Sequence, residues 1–241
     1  MKPLSAYFDE PLYTNAKVIP AILRFLVRII FRPCFRWKKE GFETIDEYRA
    51  RGENAIIAAN HLSFSDPVFL LLCMDFKIRF MARANFFDED QGFFGRIFGR
   101  LLAMMGAFPV KPHTADLTST RRALKTLKRG EWLGIFPEGS RKMMHEPDEP
   151  DTNGGVGLLA TMADKPIFPI ALIGPEKIRP LGQKLIHFPK VRIVALDPVF
   201  PKDYAQLPKD VRYQAMADEV MHRIREVTGE TDAWAPITAK A

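Results

Sequence analysis

Short apolar runs alternate with helical patterns along most of the chain, and this alternation constrains the fold more than any other feature. Strand-like runs occupy residues 55–59, 78–82, 107–111, 132–136, 167–173 and 191–196. Helical patterns occupy residues 67–74, 93–105, 117–129, 156–163 and 211–227, and Asp116 and Gly130 are the predicted caps of the third. Such alternation is typical of strands joined by helical crossovers. The sequence therefore predicts an α/β fold in which a largely parallel or mixed sheet is flanked by helices.

The positive charge of the chain is concentrated in one segment. The net charge is +6, but residues 17–39 alone contain seven Lys and Arg and no acidic residue, so the rest of the chain carries −1. A nucleic-acid-binding protein is expected to present a basic face across its folded unit. The distribution therefore argues against a nucleic-acid partner and predicts a local contact with an anionic surface.

This basic segment is also apolar, and its charges recur every four residues at Arg24, Arg28, Arg32 and Arg36. A membrane-spanning helix needs about 20 largely uncharged residues, so a span is not expected. The pattern is typical of an amphipathic helix that lies in an anionic membrane interface. Pro20 suits its start and Pro33 is expected to end it, which predicts a helix over residues 20–32. The alternative is a helix packed on its own domain with arginines facing solvent.

The acidic residues near the N-terminus and the two cysteines together predict the cellular location of the protein. Asp9 and Glu10 stand where a signal peptide needs positive charge. The two cysteines, Cys34 and Cys73, have no metal-ligand spacing, and without a secretory signal they favour a reducing cytosol. We therefore expect peripheral association with the cytoplasmic face of a membrane.

A histidine and an aspartate follow the first strand-like run, at 55–59. His61 and Asp66 are five residues apart across a turn that starts a helix. At the carboxyl end of a strand, such a pair can act as a general base and the carboxylate that orients it. A purely structural alternative exists, because Asp66-Pro67 also fits an N-cap followed by Pro, and Ser63 with Asp66 fits a capping box.

Two more runs end in residues suited to an anionic ligand. The run at 132–136 leads through Pro137 into four candidate substrate-binding residues: Glu138, Gly139, Ser140 and Arg141. An arginine can grip a phosphate with two hydrogen bonds, and a glycine lets the backbone approach a ligand. The run at 107–111 ends in the cation Lys111. Each of these features by itself also fits an ordinary turn or strand end.

Taken in order, the three features resemble the glycerolipid acyltransferase family, and among its members the lysophosphatidic acid acyltransferases. The matching blocks are Asn-His-x4-Asp at 60–66, Gly-Ala-Phe-Pro-Val-Lys at 106–111, Phe-Pro-Glu-Gly-Ser-Arg at 136–141 and Ile-Phe-Pro-Ile-Ala-Leu at 167–172. The resemblance covers residues 41–174. The second block departs from the pattern, because Pro112 stands where many members carry Arg.

The resemblance implies both a reaction and its partners. His61 is the general base, Asp66 orients it, and the block at 138–141, with Lys111, holds the phosphate of the acceptor. The reaction is acyl transfer from an acyl thioester of coenzyme A or acyl carrier protein to a lysophospholipid hydroxyl, with no resident cofactor and no metal. Residues 1–40 are then a membrane-associating segment and 41–241 the acyltransferase domain. A different lysolipid or glycolipid acceptor is the nearest alternative, and a non-catalytic membrane-binding protein on the same scaffold is another; the oligomeric state is open.

Overall fold

The computed structural model of the chain describes residues 4–9, 25, 28–29, 31–88, 90, 92–111, 116–139, 154–180 and 185–229. Seven strands form one sheet: β1 (Lys38–Glu40), β2 (Ile56–Ala59), β3 (Ile78–Arg83), β4 (Phe108–Val110), β5 (Trp132–Ile135), β6 (Ile167–Ile173) and β7 (Arg192–Ala195). Their order is β1-β7-β6-β2-β5-β3-β4. The strands β2 to β6 run parallel, whereas β7 is antiparallel to β6 and pairs in parallel with β1. The predicted largely parallel or mixed sheet is confirmed.

Helices cover both faces of this sheet. They are α1 (Leu4–Asp9), α2 (Glu43–Ala50), α3 (Asp66–Cys73), α4 (Gly92–Met104), α5 (Leu117–Lys128), α6 (Gly155–Ala163) and α7 (Lys209–Thr228). All five helices predicted after residue 60 are present. Asp116 caps α5 as predicted, since its side chain accepts hydrogen bonds from the backbone N–H groups of Thr118 and Ser119.

Two apolar cores lie on opposite faces of the sheet, and the central strands contribute to both. Along β2, Ile56 and Ala58 belong to one core, whereas Ile57 and Ala59 belong to the other. Because successive side chains of a strand point to opposite faces, a strand covered on both sides must be apolar throughout. This explains the uninterrupted apolar runs and places β2 at the centre of the molecule.

The basic segment near the beginning of the chain is only partly described. Arg24 and most of residues 10–27 lie outside the described residues, but residues 31–35 are helical, as are Phe25, Arg28 and Ile29. The predicted end at residue 32 is wrong, because the helix continues through Pro33 to Phe35. Proline removes its own N–H and crowds the carbonyl four residues earlier. The last turn is nevertheless present: the Arg36 N–H donates to the carbonyl of Arg32, and Phe35 packs on Phe69.

This segment packs against the domain through part of its basic stripe. The Arg28 guanidinium donates to the carbonyl of Leu72 and to the Asp75 carboxylate. Phe25 and Ile29 are instead exposed, at 63% and 55% of their surface. The sheet begins with β1, three residues before the predicted boundary at 40/41. Among the described residues, no helix is long and apolar enough to cross a bilayer.

Candidate active site

The candidate site lies at the carboxyl edge of the parallel strands, directly after β2. Asn60 follows the strand and is buried, and its side chain both donates to the carbonyl of Leu172 (3.0 Å) and accepts from the N–H of that residue (2.8 Å). The amide thereby continues the pairing of β2 with β6 by one residue. It fixes the backbone at the point where His61 leaves the sheet.

His61 and Asp66 form a direct pair. The His61 Nδ1 atom lies 3.0 Å from Asp66 Oδ2, and the His61 side chain is 19% exposed, whereas that of Asp66 is 1% exposed. A buried carboxylate on Nδ1 favours the tautomer that carries its proton there, which leaves Nε2 as an acceptor. The imidazole ring also stacks on Phe136, with 4.3 Å between ring centroids. The arrangement holds the imidazole of His61 in a defined orientation and leaves its side chain partly exposed.

The Asp66 carboxylate organises the loop that precedes it rather than capping α3. Its Oδ2 atom accepts hydrogen bonds from the backbone N–H groups of Leu62 (2.8 Å) and Ser63 (2.7 Å). The N-cap position belongs to Ser65, which makes no side-chain cap bond, and Asp66 is the first helical residue. The alternative of Asp66 as the N-cap is therefore wrong. Of the capping box predicted for Ser63 and Asp66, one bond is present, from the Ser63 N–H to the Asp66 carboxylate, whereas the Ser63 hydroxyl contacts Ser65 instead.

Burial dominates the electrostatics of this carboxylate. It raises the pKa of Asp66 above the ordinary value, while the hydrogen bond and charge of His61 and the N–H groups of Ser63 and Leu62 oppose the rise. Its second oxygen, Oδ1, is buried and accepts no hydrogen bond from the described residues. Within the described structure, the hydrogen bonds to this carboxylate therefore all converge on Oδ2, which the imidazole shares with the N–H groups of Leu62 and Ser63.

Glu138 joins the site from β5 and is 4% exposed. Its Oε2 atom accepts a 2.6 Å hydrogen bond from the backbone N–H of His61, although the two residues are 77 positions apart. The next residue, Gly139, is exposed and has a φ of +68°, a backbone conformation that residues with a side chain rarely adopt. Ser140 and Arg141 lie outside the described residues. The structure thus joins the first and third sequence blocks through a hydrogen bond between Glu138 and the backbone of His61.

Lys111 lies at the same edge but farther along the sheet. It follows β4, which is separated from β2 by β5 and β3, or roughly 14 Å at the usual strand spacing. Its side chain is exposed, and its backbone N–H donates to the Asp116 carboxylate. No direct contact with His61 is seen in the described part of the chain.

Sequence reasoning missed three contributors to the site: Asn60, Phe136 and Phe64. Asn60 and Phe136 flank the predicted catalytic and binding residues. An Asn directly after a buried strand is a sequence signal for a side chain that hydrogen-bonds the backbone of the neighbouring strand, as Asn60 does with Leu172. Phe64 is 60% exposed within the loop between His61 and Asp66. Its backbone N–H donates to no acceptor in the described structure, so it remains available for a ligand.

Comparisons with known proteins identify the family of the chain. The model of the Acyltransferase family matches residues 41–173. The 1-acyl-sn-glycerol-3-phosphate acyltransferase of Bacillus subtilis is 30% identical over 178 residues, which cover 73% of this chain and 82% of that protein. The Streptococcus pneumoniae enzyme of the same name is 27% identical over 195 residues, which cover 80% of this chain and 67% of that protein.

A solved structure shares the fold. The crystal structure of the 1-acyl-sn-glycerophosphate acyltransferase from Thermotoga maritima aligns with a TM-score of 0.60 over 95% of this chain and 96% of that chain. At 20% sequence identity this likeness shows the architecture alone.

Proposed function

Because the chain belongs to the acyltransferase family and is an O-acyltransferase, we propose that it acylates the free hydroxyl of a lysophospholipid. The acyl donor is a thioester of coenzyme A or acyl carrier protein. The acceptor is lysophosphatidic acid and the product phosphatidic acid, as the names of the Bacillus and Streptococcus relatives suggest. The observation that carries the mechanism is the 3.0 Å contact between His61 Nδ1 and the buried Asp66 carboxylate.

In the proposed reaction, His61 Nε2 takes the proton of the acceptor hydroxyl while its oxygen attacks the thioester carbonyl. The positive charge that develops on the imidazole is stabilised by Asp66, which also fixes the ring orientation. The tetrahedral intermediate then collapses, the carbon–sulfur bond breaks, and the sulfur receives the proton from Nε2. The products are the new ester and the free thiol, so protons and electrons balance.

The oxyanion of this intermediate needs a hydrogen-bond donor near His61. The N–H groups of Leu62 and Ser63 are already occupied by Asp66. The next N–H along the loop, that of Phe64, has no acceptor among the described residues. We assign it as the donor that holds the oxyanion.

The acceptor hydroxyl is proposed to attack directly, with no acyl-enzyme. The Ser63 hydroxyl lies 3.0 Å from the Ser65 hydroxyl, so it hydrogen-bonds away from the imidazole. Cys73 is buried, and its thiol donates to the carbonyl of Leu70. In the described part of the chain, neither type of side chain contacts His61 as a nucleophile would.

The phosphate of the acceptor is proposed to bind at Gly139, Ser140, Arg141 and Lys111. Glu138 has a different role in this scheme, because its buried carboxylate accepts a hydrogen bond from the N–H of His61 and would repel a phosphate. It is a positioning residue that ties the phosphate-binding block to the base. In this scheme Glu138, the acidic residue of the block at 138–141, does not contact the phosphate of the acceptor.

Membrane association is proposed to occur through the N-terminal segment. Phe25, Ile29 and Arg32 are all exposed in this segment, and exposed apolar side chains beside a cation are suited to an anionic interface. A double substitution F25S/I29S is expected to reduce co-sedimentation with vesicles containing phosphatidylglycerol. The matched control is Met162→Ser, which removes an equally exposed apolar side chain (55%) from α6. Equal binding of both variants would contradict the assignment.

The proposed reaction is tested by thiol release from acyl-CoA with lysophosphatidic acid present. Release must depend on the acceptor, and His61→Ala is expected to reduce turnover at least about a thousandfold. Mass spectrometry of products from a panel of lysolipids and glycolipids identifies the acceptor. Thiol release without an acceptor would instead indicate a hydrolase, and wild-type turnover in His61→Ala would disprove the mechanism.

A further inference from the structure

A cavity of about 690 Å³ opens beside the N-terminal helical segment, between that segment, β1 and the end of α3. Its lining includes Arg28, Arg32, Trp37, Lys38, Lys39 and Asp75. The His61–Asp66 pair is at the first residue of α3, whereas this cavity is at the last, about 10 Å away along the helix. It is therefore a separate feature from the candidate active site.

The cavity has a surplus of positive charge. Both acids in its lining are already paired: Asp75 with Arg28 at 2.8 Å and Lys39 at 3.8 Å, and Glu40 with Arg192 at 2.9 Å. Arg32 and Lys38 also line the cavity, and neither has an ion pair within the described residues. Two cations thus remain to attract an anion.

One residue of the lining, Trp37, carries a side-chain hydrogen-bond donor that has no partner among the described residues. The indole Nε1 of Trp37 is buried and has no acceptor among the described residues. An indole N–H can only donate, and a buried donor without a partner is destabilising. A ligand that satisfies it must present an acceptor oxygen. Together with Arg32 and Lys38, this requirement describes an oxyanion such as a phosphate group.

We propose that this cavity binds the phosphate group of an anionic phospholipid headgroup. The inference builds on the proposed membrane association, since Phe25 and Ile29 of the adjoining helical segment would reach the lipid while the cavity lies at headgroup level. The bound lipid is an anchor rather than the substrate, because its phosphate is held at the opposite end of α3 from His61. A soluble phosphate has the same chemistry, and the experiment separates the two sources.

The test uses the emission of Trp37 in the full-length protein. Vesicles of phosphatidylcholine with phosphatidylglycerol, vesicles of phosphatidylcholine alone, and inorganic phosphate are titrated separately, and the response of Trp37→Phe is subtracted. The double variant R32Q/K38Q is compared with K125Q/K128Q, which removes two exposed lysines of α5. We expect phosphatidylglycerol vesicles alone to give a saturable response that is about thirtyfold weaker in R32Q/K38Q and little changed in the control.

The outcomes separate cleanly. A Trp37 response to inorganic phosphate as strong as that to vesicles would support the oxyanion site but overturn the lipid source. Equal weakening in both double variants, or no Trp37 response, would overturn the site itself. Thiol release with a water-soluble short-chain lysophosphatidic acid is measured in parallel and is expected to be unchanged in R32Q/K38Q. If the headgroup site is absent, thiol release by the wild type is still observed. If the proposed reaction is wrong, the wild type itself shows no acceptor-dependent thiol release.

Discussion

Replacement of Asp66 by asparagine removes the charge of the proposed orienting residue while retaining an oxygen for the same hydrogen bonds. In the transition state the imidazole becomes positive, and the 3.0 Å contact between Nδ1 and Oδ2 places the charge centres about 4 Å apart. At an effective dielectric constant near 20, the lost attraction is about 4 kcal/mol. This corresponds to a decrease in kcat of about a thousandfold.

The Asp66→Asn substitution, which is expected to lower kcat, should leave the stability of the fold unchanged or raise it. Burial raises the pKa of Asp66 above its ordinary value of 3.8. The folded state therefore disfavours the carboxylate, and stability is lost as the pH rises from about 3.8 through the raised pKa. The amide of the Asp66→Asn variant carries no charge and avoids this loss. The melting temperature of the variant at neutral pH should equal or exceed that of the wild type.

The assay pairs acceptor-dependent thiol release with thermal denaturation at neutral and acidic pH. Asp66→Ala provides the contrast, because it leaves the N–H groups of Leu62 and Ser63 without an acceptor and should destabilise by about 2–4 kcal/mol. Activity of Asp66→Asn above about one tenth of wild type would refute the electrostatic role. A large loss of stability in Asp66→Asn would indicate that the residue acts mainly as a structural group.

Three further predictions concern the surrounding contacts. Glu138→Gln keeps an acceptor for the His61 N–H and should lower kcat by about tenfold, whereas Glu138→Ala should lower it by about a hundredfold or more, as measured by thiol release. Asn60→Ala leaves both backbone groups of Leu172 unpaired and should destabilise by about 2–4 kcal/mol in urea denaturation. The Arg28 hydrogen bond lowers the pKa of Asp75, so the ion pair stabilises the fold above the ordinary pKa of 3.8 and loses this effect as the pH falls through the lowered value. Limited proteolysis of the N-terminal segment should therefore accelerate at acidic pH in the wild type and already at neutral pH in Asp75→Asn.

The sheet could be predicted because its central strands are buried on both faces. The runs at 55–59 and 167–173 are apolar without interruption, and β2 and β6 occupy nearly the same residues. β1 escaped prediction because its three residues, Lys38–Glu40, are all exposed at the sheet edge. An edge strand with no buried side chain leaves no apolar pattern in the sequence.

The spacing of His61 and Asp66 allowed either a base with its orienting carboxylate or a helix cap, and the family resemblance of the ordered blocks favoured the pair. The contacts that support the pair could not be predicted. The bond between Glu138 and the His61 N–H depends on β2 and β5 being neighbours, a relation between residues 77 positions apart. Likewise, the spacing of four between arginines does not reveal that Arg28 turns inward to Asp75. Helical periodicity identifies a face but not the partner that covers it.

The same helix connects the proposed membrane segment to the proposed base. α3 begins with Asp66, carries Phe69 in its middle, and presents the Leu72 carbonyl near its end. Phe35 packs on Phe69, and Arg28 donates to Leu72, so the two contacts of the segment with α3 lie about 4.5 Å apart along the helix. A bilayer bound at Phe25 would therefore be held at a fixed height relative to His61 by one rigid element. This geometry gives the ion pair of Arg28 with Asp75 a purpose within the basic stripe. Arg28 orients the segment on the domain, while the exposed Phe25 and Ile29 meet the lipid.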